Sequence, residues 1–288
     1  MSIGGDGPSM DAIHYEYLKA ERRRAVGRFG MVVLCQILVT VMFFGTWEIL
    51  TGVTWFVQNT LFDPFFISRP SLIFARMFDW LMPGPDSIWP HLFETLRATF
   101  VGLVVGAGSG FLVGLALAQN QFLARVFNPF IVALNSMPRI AFVPLITLLF
   151  GFGLASKVVT AWFVVFFLVF FNTYKGSRSV QRELIEFCGT LGASSRQILW
   201  RVRVPFGAAW TFASLPNAVS FALVGVVLSE FVGSGTGMGY LMISALAALN
   251  ATDMFAAIGV LSLVGLILVY LVQAVERRVL HWSQEFAR

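Results

Sequence analysis

The chain has 288 residues, of which 57% are hydrophobic and only 12% charged, and its mean hydropathy is +0.79. A soluble domain usually carries about a quarter charged residues and just under half apolar ones, so this composition argues against a water-soluble fold. The formal charge of +5 is distributed by segment rather than gathered in one patch, which speaks for membrane topology and against nucleic-acid binding.

In chain order, residues 1–30 form a polar, basic segment with Lys19, Arg22, Arg23, Arg24 and Arg28. The run that follows is long and lacks a small-residue cleavage site, so no cleaved secretion signal is expected. Met31–Leu50 is the first nearly charge-free run, and about 20 such residues cross about 30 Å of hydrocarbon. Thr51–Pro90 holds Arg69 and Arg76 against Asp63, Asp79 and Asp86, which suits an external stretch. Within it, Pro70–Leu81 reads as a short structural helix at the outer membrane surface, with Leu72, Ile73, Ala75, Phe78 and Trp80 apolar and Arg76 and Asp79 spaced to pair.

Five further spans are expected at roughly 94–118, 129–151, 157–173, 205–232 and 254–275. In the second span Gly102, Gly106, Gly110 and Gly114 recur every four residues, followed by Ala118. On a helix that spacing makes a stripe without side chains, suited to close packing of another backbone. The third span contains Asn135-Ser-Met-Pro-Arg139 and Pro144. Pro138 frees a backbone carbonyl, and Arg139 within a span costs about 2.5–3.5 kcal/mol near the centre. Arg139, with Asn135 and Pro138, is a candidate for the lining of a solute pathway; the alternative is a cation that snorkels to the headgroups. Glu230, near the end of the fifth span, is a candidate for gating or for a structural ion pair. Gly233-Ser-Gly-Thr-Gly-Met-Gly239 follows it and lacks dinucleotide-binding spacing, so it reads as a turn before a short external helix around Tyr240–Leu249.

Lys175, Arg178, Arg182, Arg196, Arg201 and Arg203 lie in the segment 174–204, and Arg277, Arg278 and Arg288 in the tail. With the basic leader, these place both termini and the 174–204 loop in the cytoplasm. Cys35 falls in the first span and Cys188 in this loop, so no disulfide is expected. The organisation expected is a cytoplasmic segment 1–30, a first span with its external stretch 31–93, a transmembrane core 94–275 and a tail 276–288.

The 174–204 loop carries the most specific pattern. Val180–Leu191, with Glu183 and Glu186, can form a helix that ends at Gly192, where a left-handed residue is needed. Ser194-Ser-Arg-Gln197 matches a capping box, so a second helix starts there, and Pro205 opens the next span. The expected shape is a helix–glycine–helix hairpin placed to meet a soluble partner.

This loop resembles the EAA loop of permeases from binding-protein-dependent ABC importers, whose pattern is Glu-Ala-Ala, three residues, Gly, nine residues, Ile-x-Leu-Pro. Glu186-Phe-Cys188, Gly192 and Val202-Arg-Val-Pro205 keep that spacing; Phe187 and Cys188 replace the alanines, and valines replace Ile and Leu. Asn135–Pro144, Phe150-Gly-Phe-Gly153 with Ser156-Lys157, Asn172-Thr173, Leu191-Gly-Ala-Ser194, Gly237-Met-Gly-Tyr-Leu241 and Glu276-Arg-Arg278 are similar to the nitrate, sulfonate, taurine and bicarbonate branch. Relatives in that branch also include permeases for thiamine-precursor pyrimidines.

The resemblance implies an all-α membrane protein of about six spans with the type I ABC importer permease fold. It further implies a homodimer in a bacterial inner membrane, with two cytoplasmic ATPase subunits and a periplasmic or lipid-anchored substrate-binding protein. Glu183, Glu186, Gly192, Ala193, Ser194 and Pro205 would couple the chain to the ATPase. ATP and Mg would be bound by that partner, and no cofactor by this chain. The residues agree with this division: Lys19, Lys157 and Lys175 complete no phosphate-binding loop, and no HExxH, zinc-ligand pair or nucleophile elbow occurs. The expected solute is a small organic or inorganic anion such as a sulfonate, taurine, nitrate or bicarbonate, with an uncharged heteroaromatic compound second. The competing class is a secondary transporter or channel acting without an ATPase; inverted repeats common in such proteins are not apparent.

Overall fold

The computed structural model describes residues 10–53, 64–84 and 87–279. Residues 1–9 of the basic leader, 54–63 and 85–86 of the external stretch, and 280–288 of the tail lie outside the described residues. The regular elements are helical throughout the described residues, and they divide into two compact units after Ser71. Lipid leaves little choice in this, because a helix satisfies every backbone polar group within one segment.

The first unit holds α1 (Met10–Gly52), α2 (Pro64–Ile67) and the start of α3 (Pro70–Leu81). Gly30–Gly52 is long and apolar enough to cross a membrane. Two of its hydroxyls bond back to the helix: Thr40 Oγ1 donates to the Gln36 carbonyl (2.8 Å) and Thr51 Oγ1 to that of Trp47 (2.9 Å). The Glu48 carboxylate accepts from Ser71 N (3.0 Å) and Ser71 Oγ (2.8 Å), so an anion meets the orphan donors in the first turn of α3.

In the second unit α3 buries Ile73, Met77 and Trp80, one helical face, and exposes Leu72, Phe74 and Phe78. Arg76 forms a bidentate pair with Asp253 (Nε–Oδ1 2.7 Å), so it is anchored to the start of α12 (Ala251–Val279), a partner that local spacing with Asp79 does not suggest.

The core is a packed trio: α4 (Trp89–Gln119), α7 (Leu154–Arg178) and α10 (Val204–Val232). Ala98, Ala161, Val165, Val169, Ala218, Ala222 and Val226 are completely buried where they meet. Small and β-branched residues let the backbones approach closely, which matters in lipid because no hydrophobic drive pulls helices together. Gly102, Gly106, Gly110 and Gly114 all lie against α7. A Cβ on Gly106 would stand 2.8 Å from Val165 Cβ, and one on Gly110 2.7 Å from the Phe166 carbonyl oxygen.

Between α4 and α7 runs a broken crossing. The Asn120 side chain caps α5 (Gln121–Ser136) by accepting from Phe122 N and Leu123 N. Met137 is extended (φ −70°, ψ 135°), as the residue before a proline tends to be. A short 3-10 turn, Arg139–Phe142, leads into α6 (Val143–Phe150). The two helical pieces meet at 81°. The 129–151 span expected from hydropathy is therefore a bent pair, because Pro138 offers no donor and its ring obstructs a straight helix. Among the described residues five helices are long and apolar enough to cross a membrane, or up to six with this pair counted as one.

Candidate functional site

The hairpin that joins α7 to α10 is built from local backbone chemistry. In α8 (Arg182–Thr190), Arg182 Nε pairs with Glu186 Oε1 at 2.7 Å across one turn. The helix ends on Gly192 at φ +80°, with Ala193 N donating to the Cys188 carbonyl (3.0 Å) and Gly192 N to that of Gly189 (3.0 Å). These two bonds make a Schellman ending, which requires the left-handed residue. α9 (Ser195–Ile198) follows at once: Ser194 Oγ accepts from Gln197 N (3.3 Å), and the Gln197 side chain accepts from Ser194 N (2.8 Å). A π-type turn, Leu199–Arg203, then carries the chain into α10. Arg203 donates to the Gln119 carbonyl at the end of α4 (3.3 Å), where a cation suits the helix dipole.

Glu183, Glu186, Gly192 and Ser194 are exposed, and Ala193 and Pro205 half-buried. Phe187, Leu191 and Trp200 are 60%, 72% and 61% exposed on the same hairpin. This is a rigid turn bearing large apolar side chains on its surface.

At the opposite ends of α7 and α10 lies a buried charge cluster. Lys157 and Glu230 are each 1% exposed, and Lys157 Nζ stands 3.2 Å from Glu230 Oε1 and 3.6 Å from Glu94 Oε1. Lys157 also donates to the Thr236 carbonyl at 2.7 Å. Glu230 accepts from Thr95 Oγ1 (2.8 Å) and Gly239 N (2.7 Å), while Thr95 Oγ1 accepts from Met238 N (2.9 Å) and His91 Nδ1 from Gly237 N (3.1 Å). The start of α11 (Met238–Ala247) thus presents successive N–H groups to His91, Thr95 and Glu230. A buried charge persists only when paired and hydrogen-bonded, and this one is both.

The cluster explains the glycine run. Gly237 sits at φ +120°, and a Cβ there would collide with the Glu230 carboxylate; one on Gly239 would stand 2.7 Å from the Val227 carbonyl oxygen. A Cβ on Gly233 would run into the Phe152 ring.

Arg139 belongs to a different cluster. Its guanidinium lies 5.6 Å from the Phe167 ring centroid and 5.5 Å from that of Phe171, and Nη2 donates to Asn135 Oδ1 at 3.3 Å. Phe171 is about 21 Å along α7 from Lys157 at 1.5 Å per residue, so Arg139 lies toward the hairpin end. The helix break thus brings Asn135 and Arg139 together, with Pro138 exposed between them.

Sequence reasoning singled out Glu230 but not Lys157, Thr95, Glu94 or His91. The available signal was depth: Lys157 opens one span and Glu230 closes the next antiparallel one, so both stand at the same level.

The model of the family described as "Binding-protein-dependent transport system inner membrane component" matches residues 106–281. The chain is 30% identical over 223 residues to the formylaminopyrimidine transport permease protein ThiX of Halalkalibacterium halodurans, covering 77% of this chain and 88% of that protein. It is 30% identical over 222 residues to the riboflavin transport system permease protein RibX of Chloroflexus aurantiacus, covering 77% and 82%. To the taurine transport system permease protein TauC of Escherichia coli it is 26% identical over 247 residues, covering 84% and 89%. Among solved structures, the MetNI methionine ABC transporter in an inward-facing conformation matches with a TM-score of 0.51 at 21% identity, over 70% of this chain and 94% of that one. The chain belongs to the family of inner membrane components of binding-protein-dependent transport systems: it is a substrate-translocating permease subunit of an ABC importer, without an enzymatic role of its own.

Proposed function

We propose that two copies of this chain form the translocation pathway of a bacterial plasma-membrane importer, with the Arg182–Arg203 hairpin of each seated in a groove of a cytoplasmic ATPase. Both termini then lie in the cytoplasm, and an external binding protein delivers the solute. ATP and Mg are held by the ATPase pair; its closure on ATP moves the spans and opens the pathway outward, and hydrolysis resets it. In this reading residues 31–93 add a span and an external segment to a permease core of 94–275.

The observation that carries the reading is the hairpin itself. Phe187, Leu191 and Trp200 are exposed on a turn whose backbone is held by a Schellman ending and a capping box. Exposed aromatics on a preorganised turn are what a docking knob needs, because little entropy remains to be lost on binding. The test is co-expression with the ATPase subunit of the importer. The ATPase should co-purify with the parent chain and be lost on Phe187→Ser with Trp200→Ser; retention by that variant would remove the hairpin from the contact.

For the solute, Arg139 beside Asn135 in the broken span supports a small anion, since a cation exposed to a polar pathway offers charge-assisted hydrogen bonds. A planar heteroaromatic solute is the second reading. It is favoured by the names of two relatives at 30% identity, which transport formylaminopyrimidine and riboflavin. Titration of the partner binding protein with taurine and with a formylaminopyrimidine separates the two.

A further inference from the structure

The glycine run after Glu230 and the buried lysine are unused by docking or by solute recognition, yet they form the most elaborately satisfied polar cluster described above. Their position gives them a role. α7 ends at the hairpin and α10 begins there, so the hairpin joins these two helices at one end. Along their length they are in close contact: a Cβ on Gly207 would strike Ser177 Oγ, one on Gly176 the Trp210 ring, and Thr173 and Thr211 share a hydrogen bond of 2.6 Å. Farther along, Ala161, Val165 and Val169 meet Ala218, Ala222 and Val226 with no exposed surface. At the far end, about 32 Å from Arg178 along α7, Lys157 closes on Glu230. The two helices are therefore tied at both ends and packed between.

The same far-end cluster holds the segment 233–247. Lys157 takes the Thr236 carbonyl, Glu230 takes Gly239 N, and Thr95 and His91 take the two preceding N–H groups. We propose that Lys157 and Glu230 are positioning residues for transport, which make α7 and α10 one rigid lever and bind the 233–247 segment to its far end, so that displacement of the hairpin is delivered to that segment. This inference rests on the hairpin being the ATPase handle. A hinge between the two helices would dissipate the motion; the buried pair removes that freedom, because separating the charges would leave the Glu230 carboxylate desolvated without a counter-charge.

The test uses the complete importer in lipid nanodiscs, with Cys35→Ser and Cys188→Ala as background and Gly235→Cys as reporter. Gly235 is exposed, and a Cβ there meets nothing within 4 Å. Labelling by a membrane-impermeant maleimide is measured before and after trapping the ATPase with ATP and vanadate. In the parent, trapping should change the labelling rate several-fold. In Lys157→Met with Glu230→Met, whose apolar pair avoids a lone buried charge, the ATPase should co-purify and hydrolyse ATP at the parental rate while labelling no longer responds. A parental response in that variant overturns the proposal, and so does an unresponsive reporter in a parent that retains its ATPase. A parent that fails to retain the ATPase overturns the docking reading and the lever with it. Should the double variant fail to assemble, Thr95→Val keeps the ion pair and the side-chain shape but releases Met238 N and withdraws one donor from Glu230; it should show a diminished response, and an undiminished one rejects the lever.

Discussion

Gly192 sits at φ +80° with no atom within 4 Å of where a Cβ would stand, so its requirement is conformational rather than steric. A β-branched residue there is strained by about 1–2 kcal/mol or more, whereas asparagine adopts the left-handed region readily. Gly192→Val should uncouple solute uptake from ATP hydrolysis while the protein remains in the membrane at normal level. Gly192→Asn should retain coupled uptake. Gly110 is the opposite case: a Cβ there would stand 2.7 and 3.1 Å from Phe166 O and Phe170 N, backbone atoms that cannot swing aside. Gly110→Leu should therefore disrupt assembly in detergent, visible as aggregation in size-exclusion chromatography, since overpacking costs about 1–3 kcal/mol even where side chains can adjust. Lys157→Met alone strands Glu230 in the core and should lower stability by about 3–5 kcal/mol, read as a fall in thermal melting temperature that the added Glu230→Met change reverses only in part, because Gly239 N then loses its acceptor. The two glycine positions are visible in the sequence because each follows a local rule, helical spacing or a helix ending. Lys157 is not, because a lysine at the start of an apolar run is indistinguishable from one that faces the headgroups until its neighbours are in place.

Among the elements, the hairpin and the broken crossing differ in how much of them local chemistry dictates. The hairpin's two helices, its left-handed glycine and its capping box follow from residues within a few positions of one another. Ser194→Ala removes the acceptor for Gln197 N and should cost about 1 kcal/mol of local stability, measured as faster amide exchange at Ser195–Ile198. The broken crossing has a continuous apolar run in the sequence, and hydropathy alone reads it as one straight span. Its proline marks a break, but the 81° bend places Arg139 over Phe167 and Phe171, and that geometry depends on where α7 stands. The glycine stripe is intermediate: the repeat announces a close approach, while the identity of the approaching helix is a tertiary fact.

For the whole molecule, membership of the importer family makes the chain one part of a machine whose energy comes from an ATPase and whose solute comes from a binding protein. Vesicles containing this chain without its ATPase should not accumulate taurine or a formylaminopyrimidine against a gradient; accumulation in such vesicles, measured with radiolabelled solute, would return the competing class of secondary transporter to first place. The sequence by itself determined that the chain lives in lipid, roughly where it crosses, and which loop folds as a helix–glycine–helix hairpin. Those features rest on hydrocarbon thickness, charge distribution and turn chemistry, each local in the chain. Only the tertiary structure decided that Arg76 pairs with Asp253, 177 positions away, and that Thr95 and Lys157 converge on Glu230. Such contacts join positions remote in sequence, and their partners are chosen by helix depth and rotation, quantities that exist only once the helices have packed.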